Sequence, residues 1–174
     1  MDQDINNLYV QIGELVKKAI ILNFRIQGHV MTGDLIDTIN YKIESTDIGG
    51  RIDFYLNDYG IYQNYGVTPS QIKKPFAKPR IEGLQRFAKL KLGISDDKEA
   101  LSVAFAIAKK HSIEGMPTKN SRSMGKKLDA LGDAIKDTEK EVEKMISEAM
   151  EYIITTLISN SLPDYEENRK FFSL

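Results

Sequence analysis

Hydrophobic side chains recur at three- and four-residue spacing in four stretches of the chain and at two-residue spacing in one. The first stretch predicts a helix over residues 3–26, which Gly28 ends. Apolar and polar residues alternate over residues 41–44 and 51–56, around Gly49-Gly50, which predicts a β-hairpin with one solvated face. Because two strands alone are marginal in water, we expect the apolar face to pack on the first helix or to join a wider sheet.

Three further helices are predicted in the second half of the chain. One covers residues 81–92, and the next begins at Ser95-Asp96-Asp97, ends near His111 and carries alanines that should let another backbone approach closely. The last covers residues 128–159 and has an acidic outer face that includes Asp133 and Asp137. Thr138 is the weak position of its apolar seam, which we assign to Leu128, Leu131, Ile135, Val142, Met145, Ala149, Ile153 and Leu157.

The intervening segments predict turns and loops. A short helical turn, capped by the hydroxyl of Thr32, precedes the hairpin. We expect no regular helix over residues 58–67, which glycine interrupts, and an extended surface connection over residues 69–80, which contain three prolines. Residues 114–127 have almost no large apolar side chain, so we interpret them as a mobile basic loop.

This order of elements predicts an α+β fold in which an antiparallel hairpin or sheet is packed by helices. A chain of 174 residues suits one domain with an appendage. We assign residues 1–127 to the α+β core, and residues 128–174 to a long acidic helix with a tail that packs on the same domain. Phe171-Phe172 in the tail is suited to docking on a neighbouring molecule.

The composition excludes several kinds of protein. There is no cysteine, so disulfides, thiolate zinc sites and a cysteine nucleophile are excluded. The first residues are acidic where a signal peptide would be basic, and no apolar run reaches the roughly 20 residues that span a bilayer. We therefore expect neither secretion nor membrane insertion, and assembly in a reducing cytoplasm.

The net charge of −1 conceals a strong division along the chain. Residues 1–70 hold 5 basic and 9 acidic side chains, residues 71–127 hold 14 and 5, and residues 128–174 hold 5 and 11. A basic block between two acidic ones can bind nucleic acid, but it can equally pair with an acidic face of another subunit. We favour the second interpretation because the whole chain is nearly neutral.

No residue pattern indicates catalysis, a metal or a cofactor. His29 and His111 each lack a partner at metal-ligand spacing, and we interpret them as loop and helix-end surface residues. Gly125-Lys126 is not a phosphate loop, because the other required glycine and the hydroxyl residue are missing. Solvated cap and sheet positions account for the remaining acidic candidates, Asp34, Asp37 and Glu44. We therefore predict that the protein is not an enzyme and has no cofactor.

Three tyrosines lie beside the basic block, and aromatic rings in such a place can stack on single-stranded bases. Tyrosine also buries a large ring and keeps a hydroxyl for a polar contact, which suits a subunit interface. We favour the interface. The predicted interface residues are Tyr59, Tyr62, Tyr65, Gly66, Pro75 and Phe76, and the predicted docking-loop residues are Lys119, Arg122, Lys126 and Lys127.

The order of four sequence pieces resembles the neck and tail-completion proteins of tailed bacteriophages, which include tail terminators. The pieces are the N-terminal helix, TGDLIDTI before a strand, YGIYQNYGVTP after the hairpin, and an Ala106-Ile107-Ala108 helix leading to Gly115-Met116-Pro117. A tryptophan more often found in such proteins is replaced here within residues 81–93. The resemblance covers about residues 5–118 and leaves the last helix outside it.

The resemblance implies a structural virion protein of the head-tail junction. Six or twelve copies would form a closed ring between the portal complex and the tail, with contacts to other neck, portal or tail proteins. DNA would pass through the lumen without sequence-specific binding. Two alternatives stay open: a non-viral helical adaptor, and a nucleic-acid-binding regulator that uses the basic block of residues 71–127.

Overall fold

The computed structural model describes residues 2–28, 33–46 and 49–161. Within them, seven helices accompany one two-stranded antiparallel sheet, which confirms the predicted α+β class. A 3₁₀ turn, Pro69–Gln71, follows α3. The elements are α1 (Asp2–Ile26), α2 (Asp34–Thr38), β1 (Asn40–Thr46), β2 (Gly49–Tyr55), α3 (Asp58–Tyr65), α4 (Lys78–Leu92), α5 (Asp97–Glu114), α6 (Lys119–Ser123) and α7 (Ala130–Ser161).

The larger core lies between α1, α2, the hairpin and α7. Helix α1 contributes four buried hydrophobic side chains at four-residue spacing, and Phe24 is completely enclosed. Half-buried side chains of β2 close the core from the sheet side. The buried hydrophobic side chains are Ile12, Val16, Ile20, Phe24, Leu35, Ile36, Ile39, Ala130 and Ala134.

The hairpin packs on α1 as predicted. Tyr41 pairs with Phe54 across the strands, and their ring centroids are 5.8 Å apart. The Tyr41 ring lies against Gly13 of α1, where a side chain would collide with it. The two glycines expected at the turn belong to β2 instead, because Gly49 and Gly50 pair with Thr46 and Ser45. The residues between the strands lie outside the described part.

The apolar seam predicted for α7 is wrong at Ile135, although Leu131 does pack against the core. Ala130, Ala134 and Thr138 face α1 and are almost completely buried, whereas Ile135 exposes 61% of its surface. The buried Thr138 hydroxyl donates to the Ala134 carbonyl oxygen at 2.9 Å, so its polar atom is satisfied within the helix. Small side chains at these positions let α7 lie close to α1. The half-buried Val142 agrees with the predicted seam further along.

Two predicted outer-face acids of α7 lie instead at the contact with α1. The Asn23 amide donates to Asp137 Oδ2 at 2.9 Å, and the Gln27 amide donates to Asp133 Oδ2 at 2.9 Å. The later residue of α1 is bonded to the earlier residue of α7, so the two helices run antiparallel. These amide-to-carboxylate bonds fix the lengthwise position of α7, since each is charge-assisted.

A second, smaller core is formed by α4 and α5. Ala88, Ala100, Ala104 and Ala108 are completely buried, which confirms the predicted close approach. Helix α5 starts where predicted, since Asp96 accepts from the Glu99 amide at 2.8 Å, and it continues one turn beyond the predicted end. The other buried hydrophobic residue of this smaller core is Ile81 of α4.

The predicted extended connection over residues 69–80 is only partly correct. It contains the 3₁₀ turn, a buried Ile72 and the first residues of α4, which begins at Lys78. Pro79 is compatible with that start because a first-turn residue needs no amide hydrogen for the helix. We placed the helix too late because we took the proline as a barrier.

Residues 58–65 form helix α3, against our expectation. Asn57 caps it by accepting from the Gly60 amide at 3.2 Å. Gly60 lets the Leu56 and Leu35 side chains pack directly against the helix backbone, because a side chain at residue 60 would collide with both in their present positions. The glycine therefore reflects close packing rather than a helix break. The predicted cap Thr32, His29 and the tail residues 162–174 lie outside the described residues.

Candidate functional site

Two of the sequence pieces that carry the resemblance meet in space. Val67, which follows α3, and Met116, which follows α5, exchange two backbone hydrogen bonds of 2.8 and 2.7 Å. The glycine before each has positive φ, 76° at Gly66 and 80° at Gly115. A side chain at Gly66 would lie 2.5 Å from the Met116 carbonyl oxygen, and one at Gly115 would overlap the Val67 carbonyl oxygen. Both glycines are therefore needed for this close backbone contact.

Asn64 connects the tyrosine-bearing helix α3 to α7. It is completely buried, and its side-chain oxygen accepts from the Leu131 amide at 2.8 Å. Its backbone oxygen accepts from the Asp129 amide at the same distance. Asp129 in turn accepts from the Gly132 amide at 3.2 Å. Two free amides in the first turn of α7 are thus satisfied, one of them by a residue of α3.

The three predicted interface tyrosines all lie on the surface of α3. Tyr59, Tyr62 and Tyr65 expose 51%, 54% and 68% of their surface, on the side of the helix away from the buried Gly60 and Asn64. They follow each other at three-residue spacing, so the rings spread around about a third of the helix. The helical conformation of α3 therefore explains why the tyrosines recur at every third residue.

Phe76 lies apart from these tyrosines and packs on α5. Its ring centroid is 6.0 Å from that of Phe105, and both rings are about half exposed. Leu101 is exposed one turn before Phe105, which extends the apolar surface along α5. Pro75, the other predicted interface residue of this segment, is half-buried.

A groove of about 600 Å³ lies where α3 meets the α4–α5 pair, and α6 closes one side. Tyr59 and Tyr62 form one wall. The groove brings together two predicted interface residues and the predicted docking-loop residue Lys126. Its apolar lining comes mainly from Leu84, Phe87, Leu92, Ile107, Met116 and Met124.

The charged lining of this groove is entirely basic. Arg80 of α4, Lys110 of α5 and Lys126 contribute to the wall, and no aspartate or glutamate does. Lys110 has a partner, Glu114, at 3.8 Å. Among the described residues, Arg80 and Lys126 have no carboxylate within ion-pair distance. Buried Arg80 Nε has no hydrogen-bond acceptor there. The groove therefore has unmet capacity for an anion beside an apolar surface.

His111 is held neutral at the bottom of this basic cluster. Its Nδ1 lies 3.3 Å from Arg80 Nη2, and since a guanidinium only donates, Nδ1 accepts. Burial, together with the charges of Arg80 and Lys126, lowers the pKa of His111 to about 4. Burial also lowers the pKa of Lys126 and raises that of Tyr59. His111 lies in the last turn of α5, as predicted, but it is half-buried rather than a surface residue.

The predicted mobile basic loop has a defined structure in its first half. Gly115, Pro117 and Thr118 are buried. Thr118 caps α6 by accepting from the Ser121 amide at 3.2 Å, and the Met116–Pro117 bond is cis. Lys119, Arg122 and Lys127 are exposed outside the groove, so only Lys126 of the predicted docking residues joins it.

Sequence reasoning missed Arg80 and the apolar lining of the groove. Arg80 stands in a segment that we read as a connection, and His111 is 31 residues away along the chain. No spacing rule joins the two. Pro79, which is compatible with the first turn of a helix, was the available signal that Arg80 belongs to α4.

The described residues contain no group of three or more histidine, cysteine or acidic side chains that could hold a metal ion. Among the same residues, no helix is both long and apolar enough to cross a membrane. Comparisons of the chain with protein-family models, with curated proteins and with solved structures find no match.

Proposed function

We propose that this protein is a structural subunit of a tailed-phage virion, which associates with copies of itself into a ring at the head-tail junction. The ring would join the portal complex to the tail and let DNA pass through its centre. The protein would act through contacts with other subunits rather than through catalysis. The ring, its six or twelve copies and the virion location follow from the resemblance of residues 5–118.

The observation that carries the association is the large number of big side chains left on the surface of separate helices. On α3 they are the tyrosines, and on α5 they are Leu101 and Phe105. On the last half of α7 an apolar stripe at three- and four-residue spacing is about half exposed: Ile146, Met150, Ile154, Leu157 and Ile158. Helix faces of this kind become stable when a neighbouring subunit covers them.

The distribution of charge supports contact between unlike surfaces. The basic block supplies α4, α5 and α6, whereas α7 carries most of the acids of the last block. A head-to-tail contact places different surfaces of two identical subunits together, and repeating it closes a ring. Acidic faces of α7 directed to the lumen would let DNA pass without holding it, because like charges repel.

Electron microscopy of the purified protein, with light scattering for its mass, tests the proposal. We expect annular particles of six or twelve copies, alone or after addition of portal or tail-tube proteins encoded beside its gene. A matched pair of variants sharpens the test. Phe105→Ser should abolish assembly, whereas Ser102→Ala on the same helix should not.

A protein that remains a monomer under all these conditions would contradict ring assembly. The regulator hypothesis has its own signature, because binding through the basic block would weaken steeply as salt rises. Tight, salt-dependent binding of DNA by the monomer would favour that hypothesis instead. Detection of the protein in purified virions by mass spectrometry tests the location separately.

A further inference from the structure

The geometry points to the groove between α3 and the α4–α5 pair as the docking site for residues 162–174 of a second copy of this chain. The inference rests on the proposed self-association and adds the contact that would link one copy to the next. Three features carry it: the chemistry of the groove, the chemistry of the segment and the length of α7.

The groove suits a peptide that presents apolar and anionic side chains together. Its surface is largely apolar, its volume is about 600 Å³ and its charges are all positive. Arg80 lines the groove, and its buried Nε has no hydrogen-bond acceptor among the described residues. Lys126 is partly enclosed and lacks a carboxylate partner among the described residues. A carboxylate from a bound peptide would form a charge-assisted hydrogen bond with its ammonium group and so compensate for the water lost on burial.

Residues 162–174 have the complementary composition. Asp164, Glu166 and Glu167 fall within four positions, with Tyr165 between them, and Phe171-Phe172 follows after the basic pair Arg169-Lys170. Two phenylalanine rings fit an apolar groove of this size, and the carboxylates would supply partners for Arg80 and Lys126, which have none among the described residues. Double-stranded DNA offers phosphates but no exposed apolar side chains, so it would leave the apolar lining unused.

The length of α7 places the segment far from the groove of its own chain. Asn64, the neighbour of the groove residue Gln63, holds the first turn of α7. A helix of 32 residues is about 48 Å long at about 1.5 Å per residue, so Ser161 lies about that far from the first turn of α7. Residues 162–174 span at most about 45 Å when fully extended. Return to the same groove would require almost complete extension, whereas a second copy can bring its groove to the segment.

Photo-crosslinking in the full-length protein tests this inference. Phe172→p-benzoylphenylalanine is irradiated, and mass spectrometry identifies the linked peptides. Mixing ¹⁴N- and ¹⁵N-labelled protein separates links between copies from links within one copy. We expect links between copies to the groove peptides that contain Leu84 or Met124.

Charge reversal provides the matched controls. Lys126→Glu should lower the yield of this crosslink at least about fivefold, and combining it with Glu166→Lys and Glu167→Lys should restore most of the yield. Lys119→Glu, an exposed substitution outside the groove, should leave it unchanged. Circular dichroism of each variant checks that it is folded.

Links to another surface, or links only within one copy, would overturn the inference. Particle mass is measured on the same samples and separates the two proposals. Rings without the expected crosslink would contradict tail docking and leave the ring proposal standing. Monomers that form neither rings nor links between copies would contradict both.

Discussion

The two cores of this protein use large side chains in opposite ways. The core around α1 encloses big aliphatic and aromatic groups, with Phe24 at its centre. The α4–α5 core is built mostly from alanines, and the larger side chains of the same helices, such as Leu90 and Phe105, are about half exposed. The first core gains its stability within one chain. The second keeps much of its apolar surface available for contact.

This difference explains why the groove lies where it does. Alanines bring α4 and α5 close together and turn their larger residues outward, while α3 stays attached to the first core through Asn64. The space left between α3 and the alanine-packed pair is the groove. Clefts between packed units are common places for ligands and partners.

The largest predicted effect is the loss of the central ring of the first core. Phe24→Ala should lower the free energy of unfolding by about 3–5 kcal/mol, because it removes a fully buried aromatic group and leaves a cavity. Urea unfolding followed by circular dichroism measures it. The matched control Phe105→Ala should change the same quantity by less than about 1 kcal/mol. Equal losses in both variants would refute the contrast between the cores.

The backbone contact that joins the two regions should be the next most sensitive place. Gly115→Ala should destabilise the protein by about 2–4 kcal/mol, because φ is 80° and the added carbon overlaps the Val67 carbonyl oxygen. Thermal or urea unfolding measures the change.

The control Gly83→Ala should have the opposite sign. Gly83 lies inside α4, and a side chain there meets no atom within 4 Å. Alanine should therefore stabilise α4 by about 0.5–1 kcal/mol. A Gly115→Ala variant as stable as the parent would mean that the backbone contact with Val67 is unimportant.

Hydrophobic periodicity predicted the elements better than it predicted their faces. It located α1, the hairpin, α5 and α7, because each buries a face over several turns or alternating positions. It assigned Ile135 to the core of α7 and made Thr138 a weak position, although Thr138 is buried and Ile135 is exposed. Hydrophobicity alone could not show that space beside α1 limits these positions to small side chains.

The groove was less predictable than the fold because it depends on contacts between distant residues. Tyr59, Tyr62 and Lys126 were predicted to lie at interfaces, yet nothing in the sequence showed that they line one groove. His111 and Arg80 meet only because alanines bring α5 against α4. Residue composition predicted an aromatic and basic contact surface. The packing of α3 against the α4–α5 pair determined where that surface lies.

Enlarging one alanine of the second core tests how closely α4 and α5 must approach. Ala104→Leu should lower the free energy of unfolding by about 1–3 kcal/mol, because residue 104 is completely buried between the helices and has no room for three more carbons. Ala106→Leu, on the exposed side of the same helix, should change it by less than about 0.5 kcal/mol. Urea midpoints of the two variants give the comparison. A tolerated leucine at residue 104 would show that this core is loosely packed.

The smallest predicted effect concerns pH and the groove. Burial and the neighbouring charges of Arg80 and Lys126 hold the pKa of His111 at about 4, below its ordinary 6.5. The unfolded chain therefore takes up a proton at His111 between pH 6.5 and 4 while the folded chain does not. Stability should fall over that interval as the pH is lowered, and this contribution should level off below pH 4.

A His111→Gln variant separates this contribution from the titration of carboxylates. Between pH 7 and 4.5 its unfolding free energy should fall by about 1–2 kcal/mol less than that of the parent, a figure reduced for the partial exposure of the ring. NMR titration of the imidazole measures the pKa of His111 directly. A value near 6.5 would contradict the enclosed, basic environment, whereas a value that rises when the groove is filled by an acidic peptide would link this sensitivity to docking.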